Sequence, residues 1–294
     1  MKNKGITMTL VFEGESSNYG EGFGNVSSLK KITRQGGNAY SYISRQALRY
    51  NIVEQMGWNN TPVEASGKGD KKVIQYAPQA TIQDNPENDL FGYMKTEAKK
   101  DKKDDSTGAT TRNAVVRLSN AISLEPYNAD TDFLTNLGLA NRLEANGSIV
   151  QSEIHKSFYS YTVTIDLEEV GVDREINLPE EEKKKRVKEL LKTIQFLYRD
   201  IRGRRENLSP IFAIGGIYDR KTPFFENRIY LTPKGIKVEV LKDILSSDPD
   251  IEKNTKLGYL DGSFANSEEI KEKLNTIKIN EFFDSIIKKM EEEC

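Results

Sequence analysis

Histidine and cysteine carry much of the acid–base, nucleophilic and metal chemistry of proteins. This chain of 294 residues has one of each, His155 and Cys294. One imidazole excludes a two-histidine metal site, and any Ser-His-Asp or Cys-His arrangement would have to use His155. One cysteine, at the last position, excludes an internal disulfide framework, a zinc ribbon and a thiol redox pair. Pocket histidines are the usual general bases near neutral pH, so the composition points away from an enzyme. The carboxylate pairs Asp104-Asp105 and Glu168-Glu169, and the run Glu291 to Glu293, lie among lysines or in acidic runs, as solvated faces do. Gly20, Gly22 and Gly24 suggest a phosphate-cradling loop. Yet the next helix signal begins only at Asn38, and no GxxxxGK[ST] run exists.

What remains is the chemistry of arginine and lysine. Net charge is −2, so the sum says nothing about partners, but the distribution does. From Gly22 to Val53 there is no Asp or Glu, while Lys30, Lys31, Arg34, Arg45 and Arg49 all fall there. Thr107 to Leu124 is acid-free too and holds Arg112 and Arg117. Since 45 of 294 residues are acidic, a polyanion partner is the simplest cause of such gaps: a carboxylate there would repel phosphate. The run Ser44 to Arg49 (SRQALR) puts two arginines one turn apart with a serine and a glutamine, a set able to meet successive phosphates and sugar hydroxyls. Arg202, Arg204 and Arg205 gather around Gly203, more cations than a helix C-terminus needs. His155 stands before Phe158, Tyr159 and Tyr161. It reads either as a base-stacking ring or as a hydrogen-bonded core histidine. The acids collect elsewhere, from Asp166 to Glu182 and from Asp248 onward.

The elements that must position these residues are partly legible. Gly5 to Gly14 alternates as a strand, and Ser16 to Gly37 reads as a Gly/Ser/Asn-rich loop. Asn38 reads as an N-cap for a helix from Ala39 to Met56, closed by Gly57. Trp58 to Ala109 has no sustained period, and Lys95 to Asp105 is a mixed-charge tract. Asp130 to Lys156 reads as a second insertion, with Asn146-Gly147 as a hairpin turn. Tyr159 to Leu167 alternates as a strand. Pro179 opens a helix with an apolar stripe from Val187 to Ile201, ended by Gly203. Ile211 to Tyr218, Arg228 to Leu231 and Ile236 to Leu241 read as strands, and Phe283, Ile286, Ile287 and Met290 mark a last helix. The fold class is α+β, and the order matches a split βαβ or RRM-like core with insertions. No apolar run is long enough to span a bilayer and no signal-peptide pattern opens the chain, so a cytoplasmic location away from membranes is expected.

Together these motifs resemble the CRISPR-associated DevR family, the RNA-binding backbone subunits of type I Cascade, most like subtype I-B. The resemblance is carried by ITMTLVFEG, SNYGEGFGNVSSLKK and YSYISRQALRYNIV, then TTRNAVVRLSNAISLEPY, DFLTNLGLANRL, HKSFYSYTVTIDLEEVG and IRGRRENLSPIFAIGG, in that order. It implies an RRM/ferredoxin-like palm (1–57 and 157–294, with a C-terminal helical region), fingers (58–129) and a thumb hairpin (130–156). It further implies copies polymerised along a crRNA, which pairs with target DNA, alongside other Cascade subunits and a recruited helicase-nuclease. No cofactor is implied. The implied RNA contacts are Asn25, Ser27, Lys30, Arg34, Ser44, Arg45, Gln46 and Arg49; Arg112 and Arg117 from the fingers; Asn136, Asn141 and His155 from the thumb; and Arg202, Arg204 and Arg205 from the palm. Related type III subunits cut RNA with an aspartate near the first helix. No acid stands between Gly22 and Val53 here, so no nuclease activity is expected. The rival expectation is a metal-dependent RNA nuclease or guide-processing enzyme using Glu13, Glu15 or Glu21 with His155. A third is a structural interaction protein that never touches RNA.

Overall fold

The structure, a computed structural model, describes residues 4–15, 18–66, 72–96 and 109–293. Most of the Lys95 to Asp105 tract, and Cys294, lie outside the described residues. The chain is mixed α+β, built on an antiparallel sheet of eight strands among the described residues. These are β1 (Gly5–Gly14), β2 (Lys31–Thr33), β3 (Ala39–Ile43), β4 (Val116–Leu118), β5 (Ala121–Ser123), β6 (Ser157–Asp166), β7 (Phe212–Tyr218) and β8 (Thr255–Tyr259). Their order is β8-β7-β1-β6-β5-β3-β2, with β4 also on β6. β1 pairs along its whole length with β6, from Gly5 opposite Asp166 to Gly14 opposite Ser157.

Strand alternation divides the sheet between two cores. Ile6, Met8, Leu10 and Phe12 of β1, with Tyr159, Tyr161, Val163 and Ile165 of β6, face three helices. These are α1 (Arg45–Met56), α2 (Glu180–Gln195) and α3 (Ile279–Glu293). α3 buries Phe283, Ile286, Ile287 and Met290 there, the stripe expected of it. Val11, Phe212 and Ile214 face the other way, into a core built with Phe225, Ile236, Leu241 and Ile270. Read along the chain, β1, α1, β4/β5, β6, α2 and β7 form a strand–helix–strand–strand–helix–strand succession. The outer pieces are carried as insertions.

Several expected elements differ. Ala39 to Ile43 is strand, not the first turns of a helix: Ser41 and Ile43 are buried while Tyr40 and Tyr42 are half-exposed, and the segment pairs with β2 and β5. The N-cap is therefore Ser44, whose side chain accepts from the Ala47 amide. The supposed loop before it contains a hairpin, Tyr19–Phe23 with Val26–Leu29. α2 stops at Gln195, and Tyr198–Ile201 pairs with Arg204–Asn207. Arg202 and Gly203 are thus a two-residue hairpin turn, both at positive φ (53° and 75°), rather than a helix end. The arms Asp130–Thr135 and Ile149–Ile154 pair as expected, but short helical turns over Leu137–Leu143 join them, not Asn146-Gly147 alone. Ile236 ends a two-residue strand, and Val238–Leu245 is helix.

Candidate nucleic-acid interface

α1 is fixed at both ends. The Ser44 hydroxyl donates to Asn18 Oδ1, and the Arg45 amide donates to Asn120 Oδ1 at 2.9 Å. Gly57, at φ 67°, closes the other end. Leu48, Ile52 and Val53 face the core, which turns Arg45, Gln46, Arg49 and Tyr50 outward, one turn apart in pairs. Beside them β4 buries Val116 and exposes Arg117, as strand alternation requires. Together they line a cleft of about 460 Å³ with Phe91, Ala114 and Leu118, and among the described residues no acid lines it. Arg45 and Arg117 are exposed and have no ion-pair partner among the described residues. Arg49 is held in place: its guanidinium lies 5.1 Å from the Phe91 ring centre and donates to Tyr76 Oη (2.9 Å) and Glu87 Oε1 (3.0 Å). A short run of cations on a rigid helix and strand, two of them without an ion-pair partner among the described residues, is suited to phosphate groups.

A second group forms where the hairpin 19–29 meets the arm Ile149–Ile154. Those two pair in parallel at Ser27 and Ser152. The carbonyl of Asn25 accepts from the Gln151 amide at 3.0 Å. Glu153 is the hub: it accepts from the Leu29 amide (2.7 Å) and pairs with Lys31 (2.7 Å), which lies 4.4 Å over the Tyr127 ring. Burial pulls the Glu153 carboxyl up, but Lys31 and the Leu29 amide outweigh it and hold it below the usual range. Arg202 stacks 4.4 Å from the Tyr19 ring centre and donates to Ser152 Oγ. Arg204 pairs with Glu15 (3.0 Å) and Glu206 (3.5 Å), and Arg205 pairs with Asp200 (2.8 Å) in the open. Lys30 is half-exposed without an ion-pair partner among the described residues, and Arg34 lies over Tyr40. Asn141 is exposed near the hairpin tip, and Asn136 Oδ1 accepts from the Ser148 amide.

Two expected contacts are withdrawn by burial. His155 is 5 % exposed; its Nδ1 lies 2.7 Å from Ser41 Oγ and its ring meets Tyr127 edge-on. Burial pushes its pKa down. It is a core histidine and offers no face to a base. Arg112 is also inside: its side chain is 5 % exposed and pairs with Asp89 at 2.7 Å, and it donates to the carbonyls of Glu169 and Val172. Ser44 is occupied by its cap. Of the carboxylates named for the rival nuclease, Glu13 pairs with Lys156 and Glu15 with Arg204. Among the described residues no three of His, Cys, Asp or Glu gather as a metal site would require. Tyr50 and Glu153 join these groups although the sequence reading passed over them, and Lys31, named there in the acid-free stretch, is not among the expected RNA contacts. Tyr50 follows Arg49 on the exposed stripe of α1, and that register could have flagged it.

The fold is shared with subunits of solved complexes. It aligns with a chain of a "CRISPR RNA-guided surveillance complex, pre-nicking" over 97% of this chain and all of that one, with a TM-score of 0.57 at 11% identity. A second "CRISPR RNA-guided surveillance complex" chain aligns over 96% and 98%, with a TM-score of 0.52 at 10% identity. The class shown is thus an α+β fold shared with those chains. Residues 6–229 match the model of the family described as "CRISPR-associated negative auto-regulator DevR/Csa2". The chain belongs to this DevR/Csa2 family. A relative from Myxococcus xanthus (strain DK1622), "CRISPR-associated protein Cas7/Cst2/DevR", is 29% identical over 168 residues. That match covers 53% of this chain and 55% of the relative, about half of its length. No helix among the described residues is long and apolar enough to cross a membrane.

Proposed function

We propose that this protein is a non-catalytic backbone subunit that binds a guide RNA and polymerises along it within a CRISPR surveillance complex. On this reading the succession around β1, β6 and β7 is an RRM-like palm, 58–129 the fingers and 130–156 the thumb. The observation that carries the proposal is the acid-free cleft in which Arg45, Arg49 and Arg117 converge from α1 and β4, in a chain of this family.

The chemistry follows from the side chains. Guanidinium groups on rigid elements grip phosphates without reading bases, so any guide sequence is accepted and pairing selects the target DNA. Lys30, Arg34, Arg202, Arg204 and Arg205 extend the cationic path past the hairpin base. Polymerisation has its own support. Phe133, Leu134, Leu137, Leu139 and Leu143 are all exposed around the thumb tip, Leu143 to 82 %. An apolar patch on a projecting hairpin suits a protein neighbour rather than solvent. When the head of one copy meets a different surface on the next, the contact repeats into a filament.

The test is purification from cells that also express a repeat–spacer array and the partner subunits. RNA of discrete length, migrating with the protein as a large particle, is the expected result. A nucleic-acid-free monomer under the same conditions at low salt would overturn the proposal.

A further inference from the structure

On the far side of Arg49 the trough continues into a second cleft of about 450 Å³, between α1 and the inserted hairpin Val63–Ser66 with Val73–Tyr76. Its character is different. Tyr50, Val53, Val63 and Tyr76 line it with Gln46 and Thr61. Tyr50 is 64 % exposed and has no hydrogen bond or ring contact among the described residues. Glu87 is taken by Arg49 (3.0 Å) and Tyr76 Oη (2.7 Å), while Glu54 accepts from Asn59 at 2.6 Å and has no ion-pair partner among the described residues. Among the described residues no unpaired cation lines this cleft, so a phosphate entering it would meet the carboxylates of Glu54 and Glu87. A neutral aromatic ring would meet none of that penalty.

We infer that this second cleft receives an unpaired base of the strand whose phosphates lie in the first, with Tyr50 as its stacking surface. The inference rests on the nucleic-acid reading above. The division is physical: the backbone goes where Arg45 and Arg117 stand beside Arg49 without an ion-pair partner among the described residues, and the base goes where an exposed ring stands beside carboxylates that would repel a phosphate. Gln46 and Arg49 line both clefts, so the two are adjacent along one helix face. A tyrosine held on a helix stacks on any base, which keeps the site tolerant of guide sequence.

The experiment uses the full chain and a mixed-sequence single-stranded RNA too short to seat two copies, titrated at several salt concentrations. Tyr50→Ala is expected to weaken binding about 5- to 100-fold, with the dependence on salt unchanged because no phosphate contact is lost. Tyr50→Phe is expected to restore the affinity, since stacking needs the ring and not the hydroxyl. A 2-aminopurine placed in the RNA is expected to be quenched on binding by the wild type and not by Tyr50→Ala. If Tyr50→Ala binds normally while Arg45→Glu/Arg117→Glu does not, the stacking site is refuted and the RNA reading stands. If neither variant loses affinity, both fall. If Tyr50→Phe is as weak as Tyr50→Ala, or if Tyr50→Ala alters only self-association, the stacking role is overturned.

Discussion

Asp89→Asn is expected to weaken the link between the segment around Asp89 and Arg112 and the helix α2. Asp89 is fully buried and sits between two buried arginines, Arg112 at 2.7 Å and Arg186 at 3.0 Å, while accepting from the Gly171 amide at 2.9 Å. Arg186 has a second carboxylate, Glu182, at 2.8 Å. Arg112 has none among the described residues; its other acceptors are carbonyls. Asparagine keeps the shape and can still accept from Gly171, but it leaves the Arg112 charge uncompensated in an interior. Breaking one partner of a buried pair costs about 3–5 kcal/mol, a large part of the roughly 5–15 kcal/mol that holds a domain folded. With a urea slope of about 3 kcal/mol/M, the midpoint should fall by about 1–1.7 M. The arginine reaches Asp89 from Ala109–Arg112, the strand that leads directly into Arg117 and the cleft, so RNA affinity should fall as well. Equilibrium urea unfolding followed by circular dichroism is the assay. A midpoint shift below about 0.3 M, or less than about 1 kcal/mol, would show that water or a neighbouring acid already serves Arg112, and the reasoning would be refuted.

Other outcomes follow from the same geometry. Leu139→Asp/Leu143→Asp, on exposed tip residues, should leave the melting temperature within a degree or two yet abolish large particles on long RNA in light scattering; unchanged particles would remove the tip from assembly. His155 has its pKa lowered by burial, against the opposing pull of Glu125 and Asp130. A depressed folded pKa means stability that is complete above the ordinary 6.5 and is lost as the pH falls through the folded value. Melting temperature should therefore decline more steeply below that point in the wild type than in His155→Gln, and parallel declines would contradict the burial. By the same sign, Glu153, held below its ordinary 4.5, contributes stability that is lost at still lower pH, and Lys31→Met should lessen that loss.

Local pattern made some of this legible and long-range pairing hid the rest. β1 and β6 alternate so cleanly that both could be read as strands from residues alone, and the stripe of α3 falls as spaced. Ala39 to Ile43 misled because a Tyr/Ser/Ile run runs into a good helix; only β2 and β5, far off in sequence, make it strand. Arg202-Gly203 misled because the hydrophobic stripe of α2 continues by chance through Leu197 and Ile201, although a two-residue turn between polar arms was there to be seen. At the site, charge gaps identified Arg45, Arg49 and Arg117. They could not separate Arg117 from Arg112, five positions apart, because only the fold supplies Asp89 to bury one and leaves the other facing the cleft. His155 shows the same limit: its neighbours in sequence suggest stacking, while Ser41 and Tyr127 enclose it in space.

The central claim is that phosphates of a single strand lie against Arg45, Arg49 and Arg117. Its most direct test is the affinity of wild-type protein and Arg45→Glu/Arg117→Glu for a short single-stranded RNA across a salt series. Each lost phosphate contact should flatten the plot of log K against log salt by about 0.7, so about 1.4 for the pair, with binding weakened at every concentration. An unchanged slope and affinity, in a variant that folds as the wild type does, would contradict the account.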